Sequence, residues 1–250
     1  MLSDRVHEFP HNIAWFLNIK SARENKARLQ KFHNIHVGQR CFIIATGPSL
    51  KNMDLSLLKD EYTIGMNRGY LLNEMYDLNL NYLCVIDIIN QLKQFTDEYQ
   101  QSEITSFYNW DCRHYIHQTE KINYLKLNHR HKFVKDILHG FWYGHSVTNA
   151  CIELAYYMGF KEVYLIGKDH SFNVSSAPKT VNVIKGEDEN HFFPNYYKEN
   201  MQWGTPYYYG EEIAYKLARY AFERDNRVIR DATKDGKLQI FEKVKYDALF

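Results

Sequence analysis

Residues that could do chemistry cluster directly after short apolar runs of the chain. Four such runs are rich in β-forming residues and predict buried strands. They are Arg40–Ala45, Tyr62–Met66, Asn81–Asp87 and Glu162–Ile166. The polar or flexible residues at their ends are Thr46, Gly47, Pro48, Ser49, Asn67, Arg68, Asp87, Gly167, Lys168, Asp169 and His170. Ligands bind beyond the carboxyl ends of strands in an open parallel sheet, so we predict that these residues share one ligand-binding rim.

The turn Thr46–Ser49 could bind a phosphate. Gly47 lets the backbone approach a ligand closely and Ser49 adds a hydroxyl, but Pro48 has no N–H to donate. The turn matches neither GxGxxG nor the P-loop, because the further glycines and the Lys-Ser/Thr pair are missing. By itself it fits a phosphate-binding turn and a purely structural turn equally well.

Two histidines are candidate bases. His191 lies in the sequence DENHFFP, within the irregular stretch Ser171–Tyr209, and long loops of this kind are usually lids or binding segments. A neutral imidazole with a pKa of about 6.5 suits the removal of a proton from an attacking hydroxyl. His170 is the competing base, or a cationic partner for a phosphate.

Charged residues at the strand ends allow a second chemistry. Asp87 and Asp169 could hold Mg²⁺ that bridges a polyphosphate, or each could cap the helix that follows it. Arg68 and Lys168 are candidate contacts for a phosphate or a carboxylate, or else solvated charges.

The elements that must position these residues alternate between strand and helix. Ser146 is the predicted N-cap of an amphipathic helix that ends at Gly159, and it would present a hydroxyl and free N–H groups to the rim. Another strong helix is predicted over Glu211–Arg224. The alternation predicts a doubly wound, mostly parallel, Rossmann-like α/β sheet. We expect a single domain over residues 38–250 with a helical extension over residues 1–37.

Composition excludes several classes of protein. The chain has 250 residues, of which 45% are hydrophobic and 24% charged, and its formal net charge is +1. This balance argues against nucleic acid as a partner. The four cysteines contain no CxxC pair, so we expect buried free thiols rather than zinc or disulfides. No apolar run approaches the roughly 18 residues of a spanning helix, and residues 1–10 contain no secretory signal, which predicts a cytoplasmic protein.

The N-terminal region leaves two arrangements open. A basic, helix-prone segment over Ser21–His36 follows the apolar cluster Ile13–Ile19. Such a helix could lie on an anionic membrane, which would place the protein peripherally at the inner membrane, or it could pack one face on the domain.

Two long motifs carry a family resemblance. CFIIATGPSLKNMDLSLLKDEYTIGMNR and HSVTNACIELAYYMGFKEVYLIGKDHSF resemble the domain of archaeal hydroxymethylpterin diphosphokinase-like (MptE-like) proteins and of flagellin-modifying motility-associated factors. They are also similar to the bacterial sialyltransferases that use CMP-sialic acid. The resemblance covers Gly38 to about Asn195. The closing sequence DATKDGKLQIFEKVKYDALF looks like the tail of members involved in polysaccharide biosynthesis.

The sialyltransferase resemblance implies roles for individual residues. It assigns the donor nucleotide to Gly47–Leu50 and Asn67, the sugar carboxylate to Ser146, and the catalytic base to His191. The sequence departs from that pattern at Asp87, where an asparagine is usual, and near Ser171 and Ala177, where two tyrosines steady the leaving phosphate. A carboxylate at position 87 would repel an anionic donor unless a cation or a ribose hydroxyl binds that carboxylate.

The expected function is therefore a glycosyltransferase of surface-polysaccharide assembly. It would transfer a sugar, such as a sialic-type acid, from a CMP-linked or other nucleotide-sugar donor to a glycan or lipid-linked acceptor, without a cofactor. The alternatives are a Mg²⁺-dependent 6-hydroxymethylpterin diphosphokinase and a non-catalytic nucleotide-binding subunit. Whether the chain forms a homo-oligomer stays open.

Overall fold

A computed structural model describes residues 13–171, 180–183, 188–194, 196–197 and 200–250. A large sheet contains β1 Arg40–Ile44, β2 Tyr62–Met66, β3 Tyr82–Val85, β4 Thr105–Asn109, β5 Ile122–Leu125, β8 Glu162–Ile166, β11 Val228–Asp231 and β12 Glu242–Lys243. Two small sheets pair β6 Leu127–Asn128 with β7 Phe141–Trp142, and β9 Val181–Val183 with β10 Gln202–Gly204. The α-helices are α1 Lys20–Gln30, α2 Leu71–Tyr76, α3 Thr96–Gln101, α4 Val147–Tyr157 and α5 Tyr208–Arg224.

The order of the strands creates a crevice. The large sheet runs β12-β11-β8-β1-β2-β3-β4-β5, and all of its pairs are parallel. The chain builds outward from β1 to β5 and then returns to the other side of β1, with helices on both faces of the sheet. This confirms the predicted doubly wound α/β architecture. The loops after β1 and β8 lead away from the point where the strand order reverses, which is where such sheets bind ligands.

The central strands are unbroken apolar runs in the sequence because both faces of the sheet are buried. In β1 and β8 every residue after the first is buried, as expected for a parallel sheet with helices on each side. All four cysteines are buried free thiols, as predicted.

The N-terminal segment packs against the edge of the sheet. Asn25 of α1 is fully buried and pairs with the backbone of Tyr124 on β5, donating to its carbonyl at 2.8 Å and accepting from its N–H at 2.9 Å. Trp15 is also buried, with its ring edge-on to Trp110. These contacts occupy one of the polar edges that an open sheet would otherwise expose.

Two helices differ from their predicted limits. The helix predicted over Ser21–His36 ends at Gln30, because the following backbone turns to bond with the end of α4 instead. The N–H groups of Asn34 and His36 donate to the carbonyls of Tyr157 and Met158. Helix α5 starts at Tyr208, three residues earlier than predicted. No helix among the described residues is both long and apolar enough to span a bilayer.

Candidate functional site

A cleft of about 370 Å³ opens at the carboxyl ends of β1, β2, β3 and β8. It lies at the reversal of strand order, and its volume is in the usual range for small-molecule sites. The predicted site residues that line it are Thr46, Gly47, Asn67, Asp87, Ser146, Gly167, Lys168, Asp169, His170, Ser171 and His191. Pro48, Ser49 and Arg68 do not line it, and Ala177 lies outside the described residues.

Hydrogen bonds join the turn after β1 to the turn after β8, and we call this set of bonds the clasp. Gly47 donates its N–H to the carbonyl of Gly167 at 3.0 Å, and Ser49 donates its N–H and its hydroxyl to Asp169 at 3.2 and 2.8 Å. A Cβ on Gly47 would lie 1.9 Å from Oδ2 of Asp169, so only glycine permits this approach. Burial raises the pKa of Asp169, while the hydrogen bonds from Ser49 act in the opposite direction.

The donors of Gly47 and Ser49 already form hydrogen bonds within the protein, to the carbonyl of Gly167 and to the carboxylate of Asp169. A role of this turn in phosphate binding stays a prediction. Pro48 begins a 3-10 helix that runs to Asn52 and turns the chain away from the cleft.

Asn67 and Arg68 separate at the end of β2. Asn67 has a left-handed backbone, with φ of 49°, and lines the cleft. Its buried Oδ1 accepts no hydrogen bond from any described residue. Arg68 turns into the protein, where its guanidinium lies 4.1 Å from the ring centroid of Phe95 and donates to the carbonyl of Tyr196. Arg68 therefore contacts the loop around Tyr196, and its predicted contact with a ligand stays a prediction.

Asp87 caps a helical turn and faces the cleft as well. One carboxylate oxygen accepts from the N–H groups of Ile89 and Asn90 at 3.0 and 2.9 Å, and the other accepts from the Asn90 side chain at 2.9 Å. The capping role left open by the sequence is thus present. The oxygen that accepts only from the Asn90 side chain keeps a further lone pair for a ligand.

The N-terminus of α4 forms another wall. Ser146 caps the helix by accepting from the N–H of Thr148 at 3.2 Å, as predicted. Gly144 and His145 directly before it both have positive φ, of 56° and 64°, and this tight turn points the helix start into the cleft lining. The partial positive charge of a helix N-terminus favours an anion at this wall.

Lys168 is buried in an ion pair. Its Nζ donates to Oε2 of Glu211 at 2.8 Å, and the Tyr215 hydroxyl donates to the same oxygen at 3.2 Å. Burial opposes the charged form, but the attraction of Glu211 outweighs it and raises the pKa of Lys168. Since its charge is already balanced, Lys168 is a weaker candidate for a phosphate contact than a solvated lysine would be.

His170 is held in its neutral form. Its Nε2 lies 3.2 Å from Glu212, and its backbone is left-handed, with φ of 54°. Burial and the charge of Lys168 lower the pKa of His170, although Glu211 and Glu212 act against this. A histidine in this state is a poor cationic partner for a phosphate.

His191 has the geometry of an oriented base. Its Nδ1 lies 2.8 Å from Oδ2 of Asp188, and its ring stacks on Tyr196 with centroids 4.0 Å apart and planes 4° apart. Burial works against the charged form of Asp188, but the hydrogen bond and charge of His191 and the backbone hydrogen bonds from Asn190 and Tyr197 together lower the pKa of that carboxyl. When Nδ1 carries the proton that Asp188 accepts, Nε2 is the ring nitrogen without a proton. The adjacent Phe192 donates its N–H to the carbonyl of Thr46 at 2.9 Å, which ties this loop to the turn after β1.

Carboxylates outnumber ammonium groups among the described residues that line the cleft. The carboxylates are those of Asp87, Asp169 and Glu211, and the ammonium is that of Lys168. No group of three or more potential metal ligands lies together in the part of the chain that the structure describes. Asp87 and Asp169 remain two carboxylates of the type that Mg²⁺ uses together with substrate phosphates.

Two residues of the site were missed by sequence reasoning. Asp188 precedes His191 by three residues, a spacing that allows a contact in a turn but does not dictate one. Glu211 was treated only as the start of a helix, whereas it pairs with Lys168 in the cleft wall. For Asp188, the available sequence signal was an acid three residues before a candidate base. Lys168 and Glu211 are too far apart in the sequence for their pairing to give such a signal.

Comparisons with known proteins agree with the fold. A Maf glycosyltransferase from Magnetospirillum magneticum AMB-1 superposes with a TM-score of 0.52 at 14% sequence identity. The alignment covers 91% of this chain and 39% of that protein, so this chain spans well under half of its length. Among curated proteins no match is found.

A family model covers most of the core of the chain. The model described as 6-hydroxymethylpterin diphosphokinase MptE-like matches residues 14–175, which include β1 to β5, α4 and β8. This confirms the resemblance carried by the two long motifs. The chain therefore belongs to the 6-hydroxymethylpterin diphosphokinase MptE-like family.

Proposed function

We propose that this chain transfers a group from a nucleotide to an acceptor hydroxyl, and that the group is a sugar. The leading donor is a CMP-linked sialic-type sugar, and the acceptor is a glycan or a lipid-linked glycan. The observation that carries the proposal is the hydrogen bond between His191 and Asp188 beside the cleft at the strand-order reversal. An oriented imidazole at a nucleotide-type crevice fits a base that activates a hydroxyl.

The proposed reaction is a single displacement. Nε2 of His191 accepts the proton of the acceptor hydroxyl as its oxygen attacks the anomeric carbon. The bond from that carbon to the donor phosphate oxygen breaks, and its electron pair leaves on the nucleotide phosphate. Asp188 then balances the positive imidazolium, and the stacked ring of Tyr196 keeps the imidazole in one orientation.

The walls of the cleft suggest how the donor would lie. The phosphate would approach Ser146 and the N-terminus of α4, because the partial positive charge of that helix end favours an anion. The unpartnered Oδ1 of Asn67 would accept from an amino or hydroxyl group of the donor. Asp87 would face the same molecule and disfavour extra negative charge on it.

A second candidate is a Mg²⁺-dependent diphosphokinase that acts on a pterin-like alcohol. The family model favours it, and Mg²⁺ held by Asp87 and Asp169, which both line the cleft, would offset the negative charge of these carboxylates. Magnesium would supply charge neutralisation for a polyphosphate there. His191 would have the same task in this reaction, since a hydroxymethyl group must also lose its proton.

The test is a nucleotide panel followed by turnover. The purified chain is screened by thermal shift with CMP, UDP, GDP and ATP, with Mg²⁺ and with EDTA, and then assayed with CMP-sugars. Stabilisation by CMP in EDTA with turnover of a CMP-sugar supports the transferase. ATP consumption that EDTA abolishes selects the diphosphokinase. If no nucleotide binds, both assignments are wrong.

Replacing Asp188 tests its role in positioning the base. We expect Asp188→Asn to lower kcat by about 10²- to 10⁴-fold, because the amide can favour the wrong tautomer of His191. The KM for the donor should change little, and the pH dependence of kcat should shift. His191→Ala should remove turnover and keep donor binding, while the exposed Asp97→Asn is the matched control. Unchanged kcat in Asp188→Asn would show that the pair has no part in the reaction.

A further inference from the structure

The segment directly before α1, which is helical at residues 13–16 and turns at residues 17–18, exposes a group of apolar side chains. Phe16 and Leu17 are 73% and 72% exposed, and Ile13 and Ile19 are 39% and 42% exposed. A single exposed apolar residue is ordinary, whereas a contiguous group marks an interaction surface.

The neighbouring contacts force these side chains outward. The indole N–H of Trp15 donates to the carbonyl of Leu138 at 3.3 Å. Its ring packs on Trp110, with the ring centroids 5.2 Å apart. Lys26 of α1 donates to the carbonyl of Trp15 at 3.0 Å. Turning Phe16 inward would remove Trp15 from the core, so the exposure is built into the fold.

Basic residues surround this apolar segment. An apolar groove of about 410 Å³ joins Phe16 and Leu17 to Leu127 and His129. From His129 the exposed loop continues through residues 130–132 with the sequence Arg-His-Lys. On the other side, the first turn of α1 carries exposed Lys20 and Arg23. Of the described acids near these segments in sequence, Glu24 lies 4.0 Å from Lys20, and Asp136 lies 3.5 Å from His139.

We propose that this surface binds an anionic lipid membrane. It comprises Ile13, Phe16, Leu17, Ile19, Lys20, Arg23 and residues 129–132, and we name it the N-terminal patch. Its apolar side chains would enter the boundary between headgroups and acyl chains, while its basic side chains contact anionic headgroups. This combination of apolar insertion and positive charge is how peripheral proteins bind membranes.

The patch and the cleft share a structural connection. Leu127 and Asn128 in β6 pair with Phe141 and Trp142 in β7, and the next residue, Tyr143, lines the cleft. Docking at the patch would therefore set one wall of the cleft near the lipid surface. If the proposed transferase function holds, this arrangement favours a lipid-linked acceptor.

Vesicle binding tests the patch without any assay of activity. The whole chain is sedimented with vesicles of phosphatidylcholine alone or mixed with phosphatidylglycerol. We expect binding to the mixed vesicles only, and weaker binding at high salt. The double variant Phe16→Ser, Leu17→Ser should reduce it by about tenfold or more, because the inserted apolar area is lost. Tyr220→Ser, which removes an aromatic ring that is 64% exposed on α5, is the matched control.

Insertion has its own readout. In a Phe16→Trp variant, brominated lipids should quench the added fluorescence. Absence of binding, equal binding to both kinds of vesicle, or unchanged binding by the folded double variant would overturn the proposal. A dimer in solution that the double variant dissociates would do so too, since a second copy would then cover the patch. Turnover with a water-soluble acceptor should be equal in the wild type and the double variant, which separates this proposal from that of the function.

Discussion

At the scale of single residues, the site depends on side chains that bond to each other before any ligand arrives. His191 was predicted from the chemistry of its residue type and from a family motif, whereas Asp188 was not. A loop has no period that fixes the direction of its side chains, so the contact between them is visible only in three dimensions. The same reason explains Arg68, which follows a strand end as expected but turns into the protein.

Replacement of Gly47 should directly lower the free energy of unfolding. Gly47→Ala places a methyl group 1.9 Å from Asp169 and 2.5 Å from the carbonyl of Gly167, so the clasp must open. We expect a loss of about 1–3 kcal/mol in the free energy of unfolding, measured by urea denaturation. Gly204→Ala is the control, because its Cβ would meet no atom within 4 Å. Equal stability of the two variants would show that the clasp is not rigid.

Asp87 should set the charge preference of the cleft. In Asp87→Asn the amide oxygen can still cap the N–H groups of Ile89 and Asn90, so the fold is kept. Loss of one negative charge should increase the affinity for CMP in EDTA about fivefold, on the order of 1 kcal/mol. Titration calorimetry measures this directly. Weaker binding of ATP with Mg²⁺ in the same variant would favour the diphosphokinase, and unchanged affinity for both nucleotides would place Asp87 away from the phosphates.

At the scale of elements, the strand runs and the Ser146 helix could be predicted closely, because burial and capping are local signals. The bonds between the turns after β1 and β8 could not. Each turn looks like a ligand-binding turn in isolation, and only the pairing of two strands far apart in sequence shows that Asp169 satisfies Ser49. The end of α1 differs from prediction for a similar reason, since contacts with α4 outweigh local helix propensity at residues 34–36.

The attachment of α1 to the sheet offers a stability test. Asn25→Leu keeps a similar volume but leaves the buried N–H and carbonyl of Tyr124 without their partner. We expect the free energy of unfolding to fall by about 1–3 kcal/mol in urea denaturation. Gln30→Leu, at an exposed position of the same helix, should differ little from the wild type. A loss of similar size in both variants would contradict a specific role for Asn25.

At the scale of the whole molecule, two buried histidines make stability depend on pH. Burial lowers the pKa of His36 and of His170 below the value of about 6.5 that the unfolded chain has. At pH values between the folded-state and unfolded-state pKa of each histidine, the unfolded chain binds more protons than the folded chain. Both residues therefore reduce the free energy of unfolding as the pH falls from 7 towards 5.

The test compares the pH dependence of the free energy of unfolding in variants with that in the wild type. The loss in the free energy of unfolding between pH 7 and pH 5 should be smaller in His36→Gln and in His170→Gln than in the wild type. His117→Gln, at an exposed position, should keep the wild-type loss. Equal losses in all four proteins would mean that neither buried histidine stays neutral in the folded state.

The central place of β1 has a consequence for how the molecule is made. On one side β1 pairs with β2, about twenty residues later, but its other neighbour, β8, leaves the ribosome more than one hundred residues after it. Until then one edge of β1 is an unpaired apolar strand, open to wrong partners. A nascent chain stalled before residue 162 would thus lack the binding crevice entirely, and we expect such fragments to aggregate or require a chaperone.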